Sequence, residues 1–310
     1  MNLDVTHFYG GDMNKHLAAF AVFLLLFCAA FPASAAIDIQ KSEGMQAGEP
    51  AQDQTAGNNP AAVIKCSALL IGIDDYTYWP KLINPAGDAE AVGAELRDAY
   101  GFDTKLLRDP DKKTILTSIM DLQKKKYADN EELLILYSGQ SYYDVASSMG
   151  FIVGKDGKRP DDDVTLDTLI DYHRLTRMIN NIPCRHILLV VDASYAGTLD
   201  EQGGYRGLDR SSINRMMTDL VNRKLKYTAR LYLASCGREP APDGKPGGHS
   251  PFIDTMLYAL KQNGGYKSYL TLSEMVSVHM DRIEPLPQSG GFYGNAPGSE
   301  FFFIPVSKDR

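Results

Sequence analysis

The chain has 310 residues, enough for one large domain or two modest ones. At 44% hydrophobic and 23% charged residues its composition is that of an ordinary globular protein. A formal net charge of −7 argues against the broadly basic surface that general nucleic-acid binding requires, and the short basic run Lys124-Lys125-Lys126 reads as a solvated helix end.

Residues 1–35 read as a secretory signal peptide, with Met13 as an alternative start. Lys15 and His16 form a short positive region, residues 17–31 are apolar, and Pro32-Ala33-Ser34-Ala35-Ala36 supplies an A-x-A cleavage site. The apolar run is short for a membrane span, which needs roughly 20 residues. Export to the periplasm or the exterior is the expectation, and an uncleaved anchor is the alternative. Residues 36–62 are rich in Gln, Ala, Gly, Glu and Pro and lack apolar periodicity, so a disordered linker is expected there. The folded domain is expected over residues 63–310. Cleavage leaves Cys66, Cys184 and Cys236. The first two begin predicted strands at one end of a sheet and are the one pair placed to form a disulfide. Buried free thiols are the favoured reading.

Residues 67–73 are a continuous apolar run and predict a buried strand, with Asp74 and Asp75 at its carboxyl end. Asp88-Ala89 opens a helix whose face carries Ala89, Val92, Leu96 and Ala99, closed by Gly101. A second strand is expected over 102–107. Asp109-Pro110-Asp111 caps a helix with Ile115, Ile119 and Leu122 inward, and a third strand follows over 132–137. A small hairpin is expected near 150–157, a helix over 164–181, and a fully buried strand over 186–192. An amphipathic helix over 211–224, a strand over 229–234, helices over 250–262 and 271–283, and a last strand over 300–304 complete the chain. Such alternation predicts a mainly parallel sheet between two layers of helices, with ligands and chemistry past the carboxyl ends of its strands.

Two strand ends stand out. His186-Ile187-Leu188-Leu189-Val190-Val191-Asp192-Ala193-Ser194-Tyr195-Ala196-Gly197 resembles the Asp-Ala-Cys-Tyr-Ser-Gly signature of bacterial caspase-like, metacaspase-related peptidases, with Ser194 at the nucleophilic Cys position. Tyr137-Ser138-Gly139-Gln140-Ser141 resembles the same family's Tyr-Ser-Gly-His-Gly, with Gln140 at the catalytic His position and Ser141 at the oxyanion-donating Gly. Leu70-Ile71-Gly72-Ile73, Asp88-Ala89 and Gly101-Phe102 fall where the family has further landmarks, so the resemblance spans about residues 66–305. It implies a caspase-like three-layer α/β/α sandwich with a mainly parallel six-stranded sheet, and a cysteine-type endopeptidase ancestry.

The substitutions remove the chemistry that the resemblance implies. A Cys–His peptidase needs a thiolate and an imidazole that takes and returns its proton. A serine hydroxyl is not ionised near neutral pH without a base, and a Gln amide does not titrate there. Loss of one member of a working dyad costs on the order of 10⁶ in turnover. The expectation is therefore an exported pseudopeptidase that binds a peptide or protein. The resemblance assigns Asp192, with Asp74 or Asp75, to a pocket for a basic side chain, while Asp192 as a turn cap is the plainer reading. A rebuilt hydrolase is the alternative, with His249 as a replacement base for Ser194, or with Cys236 as a relocated nucleophile. No P-loop, dinucleotide fingerprint or zinc pattern is found, and no cofactor is expected. Ca²⁺ at Asp161-Asp162-Asp163 is a weaker alternative to a solvated acidic turn. The sequence names no partner and no oligomeric state.

Overall fold

A computed structural model describes residues 65–199, 217–266 and 269–306. The expected signal peptide and linker fall on residues 1–64 and lie outside the described residues, as do residues 200–216. Strands β1 (Cys66–Gly72), β2 (Asp103–Arg108), β3 (Glu132–Ser138), β7 (His186–Asp192), β8 (Ala229–Ala234) and β10 (Gln288–Gly291) form one sheet in the order β10-β8-β7-β3-β1-β2. The first five are parallel and β10 is antiparallel. β4 (Ser141–Asp144), β5 (Met149–Ile152) and β6 (Ile170–Asp171) make a small antiparallel sheet, and β9 (Leu270–Thr271) pairs with β11 (Phe302–Phe303).

Every residue of β3 and β7 is buried, as continuous apolar strands between two helical layers must be. Side-chain alternation divides the core in two. Leu69, Ile71, Ile135 and Leu189 pack with α2 (Lys112–Lys124) and α3 (Tyr172–Asn180) on one face. Leu70, Leu136 and Val190 pack with α1 (Pro85–Tyr100) and α5 (Pro251–Tyr266) on the other. α1 approaches β1 so closely that a Cβ at Gly72 would lie 2.4 Å from the Pro85 carbonyl oxygen. α4 (Met217–Lys224) precedes β8, and Asp111 caps α2 by accepting from the Thr114 N–H at 2.7 Å. Among the described residues, no helix is long and apolar enough to cross a membrane.

Several expectations are corrected. The sixth strand of the main sheet is β10, not residues 300–304. Of the latter only Phe302 and Phe303 pair, with β9, because Phe301 and Phe303 turn into the α1/α5 core while the Glu300 carboxylate takes the Ser273 hydroxyl at 2.6 Å. The helix expected over 164–181 begins only at Tyr172. Before it, Asp163 accepts from the N–H of Asp167 and Thr168 and from the Thr168 hydroxyl, and Leu166 takes a left-handed φ of 56°, so a turn replaces the helix. The helix expected over 271–283 is a short turn, Leu272–Glu274, that widens into a π-helix, Met275–Met280. The buried-thiol reading of the cysteines holds: Cys66, Cys184 and Cys236 are buried and none is in a disulfide. Cys66 lies in the α1/α5 core and Cys184 in the α2/α3 core, on opposite faces of the sheet.

Candidate functional site

β3 and β7 are neighbours, and their parallel register sets Ser138 opposite Asp192. Gln140 and Ser194 each follow two residues later, so the ends of two adjacent strands bring the two substituted positions to one edge. The edge is tightly tied. Gly139 donates its N–H to the Asp192 carbonyl at 3.1 Å, and the Ser141 hydroxyl donates to the Ser194 carbonyl. The Gln140 N–H donates to the Tyr76 hydroxyl at 2.7 Å, while the Tyr137 hydroxyl donates to the Gln140 carbonyl. Both tyrosines are buried, and burial raises their pKa, so their hydroxyls stay protonated as donors.

The side chains at this edge do not form a proton-transfer pair. Gln140 gives its amide N–H to the Pro80 carbonyl at 3.2 Å. The Ser194 hydroxyl oxygen accepts the Ala241 backbone N–H at 3.0 Å. Tyr195 follows in a left-handed conformation at φ 58°, which costs a non-glycine residue roughly 1 kcal/mol. It is held by its N–H on the Glu239 carbonyl and by stacking on Tyr143. Ser141 is not among the residues with positive φ, so its backbone is one that any side chain permits.

The acids divide into two groups. Asp75 is half-exposed and lies between Lys81 at 2.6 Å and Lys155 at 3.3 Å, which hold its carboxyl below the usual range. Asp74 is half-buried and accepts the Ala86 N–H at the start of α1 at 2.8 Å, with burial raising its pKa. Asp192 is buried, 6% exposed, and accepts the Ser250 hydroxyl at 2.6 Å. Burial pushes it up to about 7, against the lowering effect of its hydrogen bonds to Ser250 and Ser235. Asp88, wholly buried, accepts the Ser250 N–H at 3.2 Å and pairs with His249 Nδ1 at 2.5 Å. Burial pushes Asp88 up to about 6, even with His249 beside it. Ser250 thus bridges Asp88 and Asp192.

Cys236 is buried, donates its thiol to the Ala193 and Glu239 carbonyls at 3.2 Å each, and has its pKa raised by burial, which disfavours a thiolate. Of the Asp161-Asp162-Asp163 run, Asp163 is engaged with its own turn. Among the described residues no group of three or more His, Cys, Asp or Glu side chains is placed to hold a metal ion.

The family model of the caspase domain matches residues 65–295. The chain belongs to the caspase domain family. No curated protein matches it. In this caspase domain the ends of β3 and β7 lie side by side, with Gln140 and Ser194 each two residues past the Ser138–Asp192 register pair.

Sequence reasoning placed Asp88 only as a landmark of α1 and missed its pairing with His249. A signal was present. Asp88, Val92 and Leu96 recur at four-residue spacing, so Asp88 stands on the buried stripe of α1, and a carboxylate there requires a partner. The contact of Ala241 with Ser194 left no such signal, because a backbone N–H is common to every residue except proline.

Proposed function

We propose that this caspase domain binds a peptide or protein segment at the carboxyl edge of its sheet and does not cleave it by the cysteine-peptidase reaction. One observation carries the reading: Gln140 and Ser194 stand two residues past a register pair of adjacent strands, where a base and a nucleophile would have to meet. In their place are an amide bonded to Pro80 and a hydroxyl that accepts from Ala241. The segment it binds carries a basic side chain, drawn by the carboxylates Asp192 and Asp88 and, on the outer rim, Asp74 and Asp75. The chain acts after export, in the periplasm or outside the cell, and requires no cofactor. The test is calorimetric titration with peptides ending in Arg, Lys or Asp. The reading expects the Arg and Lys peptides to bind more tightly than the Asp peptide, and Asp192→Asn to weaken that preference. Equal binding of all three peptides would contradict it.

A second reading is favoured by a specific contact, the pairing of His249 with the buried Asp88. A carboxylate that orients an imidazole is a recurrent device for preparing a general base. On this reading Ser194 is a nucleophile served by His249. It requires Ser194 to release the Ala241 N–H. It predicts fluorophosphonate labelling that depends on both Ser194 and His249, and an unlabelled protein would end it.

A further inference from the structure

The segment from Ala241 to Ser250 lies along the same edge and is tied down at four points. The Ala241 N–H donates to Ser194 Oγ at 3.0 Å. Asp243 accepts the backbone N–H of Ile83 at 2.7 Å and of Asn84 at 3.3 Å, just ahead of α1, while Asn84 Nδ2 donates to the carbonyls of Asp243 and Lys245. His249 pairs with Asp88, and Ser250 donates to Asp192. Of the residues making these ties, Ala241, Asp243, His249 and Ser250 are half-buried or buried, while Lys245, which is held only through its carbonyl, is exposed together with Pro242, Gly244 and residues 246–248. The chain therefore runs over the edge with its functional groups turned inward.

His249 is the decisive tie. The Asp88 side chain is 1% exposed and that of its imidazole partner 32% exposed, so the ring lies between the carboxylate and solvent. Gly244 supports this path. It has a left-handed φ of 84°, and a Cβ there would lie 2.2 Å from the His249 carbonyl oxygen. The strap closes on itself only with glycine at that point.

We propose that this segment is a self-occupying strap, with His249 in the place that a ligand's basic side chain takes against Asp88. The inference rests on the reading of the edge as a site for a basic segment, and adds that the site is filled by the protein's own chain until a ligand displaces it. The strap is held by hydrogen bonds and one histidine–carboxylate contact, so its displacement needs no covalent step.

The test is calorimetric titration of the full chain with acetyl-Ala-Ala-Arg-amide. His249→Ala should bind at least ten times more tightly than the wild type, and Asp88→Asn added to His249→Ala should remove the gain. His249→Arg, which tethers a permanent cation in the same place, should bind at least ten times more weakly than the wild type, and it gives an independent answer should the alanine variant not melt cooperatively. Equal affinity of the wild type with either variant would overturn the strap and leave the basic-segment reading standing. A gain in His249→Ala that survives Asp88→Asn would also overturn it. Failure of all forms to bind the peptide would overturn both.

Discussion

Asp192 sits at the end of β7, a strand buried along its whole length, and its burial carries a penalty. Its carboxyl moves from 3.8 to about 7, because burial removes water from the charged form and only partial compensation comes from Ser250 and Ser235. The folded state therefore holds this proton more tightly than the unfolded chain does. The contribution to stability is intact below the unfolded value, falls as pH rises from about 4 toward 7, and is flat above that. At about 1.4 kcal/mol per pK unit, the full loss is about 4 kcal/mol, of which about 2 to 3 kcal/mol falls between pH 5 and pH 8. Asp192→Asn keeps the shape and an acceptor for the Ser250 hydroxyl while removing the charge. Urea denaturation of wild type and variant at pH 5 and pH 8 reads the effect, since titrating groups not coupled to Asp192 cancel in the difference, and the neighbouring Asp88 charge, which adds to the upward shift of Asp192, is counted with it. The variant should be the more stable protein at pH 8, and its advantage should grow by about 2 to 3 kcal/mol from pH 5 to pH 8. Parallel pH profiles, or a variant less stable than wild type at pH 8, would refute the buried-charge reasoning.

Other perturbations bear on the scaffold and the rim. Tyr137→Phe removes the hydroxyl that donates to the Gln140 carbonyl and accepts the Val153 N–H, and should cost about 1 to 3 kcal/mol in denaturant midpoint experiments. Gly72→Ala would drive a Cβ into the backbone at Pro85 and Ala86, and should cost at least about 1 to 3 kcal/mol through displacement of α1, read as a lowered thermal midpoint. Replacing Lys81 and Lys155 together by Ala unmasks Asp75, so the double variant should bind an Arg-terminated peptide more tightly, with the gain lost at high salt.

Much of the fold was legible because β1, β3, β7 and β8 are short apolar runs that only a covered parallel sheet accommodates. β10 was not. Gln288-Ser289-Gly290-Gly291 has no apolar pattern, and it joins the sheet through backbone pairing with β8. The strand expected at 300–304 carried a strong apolar signal, yet Phe301 and Phe303 use it to fill the core beside α1 and α5. Tertiary packing decided both cases. At the site, Gln140 and Ser194 could be placed because each directly follows a legible strand. The acids were legible as acids but not as partners. Asp75 is masked by Lys81 of its own loop and by the distant Lys155, and Asp192 shares Ser250 with Asp88; the Lys155 and Ser250 associations arise only when distant segments meet. His249 could be singled out as lying past β8, on the side where the strands end. Its carboxylate partner, 161 residues away, could not.

We proposed that the carboxyl edge of this caspase domain binds a segment without the cysteine-peptidase reaction. The most direct measurement is hydrolysis of Arg-, Lys- and Asp-terminated fluorogenic peptides by the purified protein, with Ser194→Ala as the control. The account predicts turnover no greater than that of the control for all three peptides. Turnover that disappears in Ser194→Ala would contradict it and identify Ser194 as a working nucleophile.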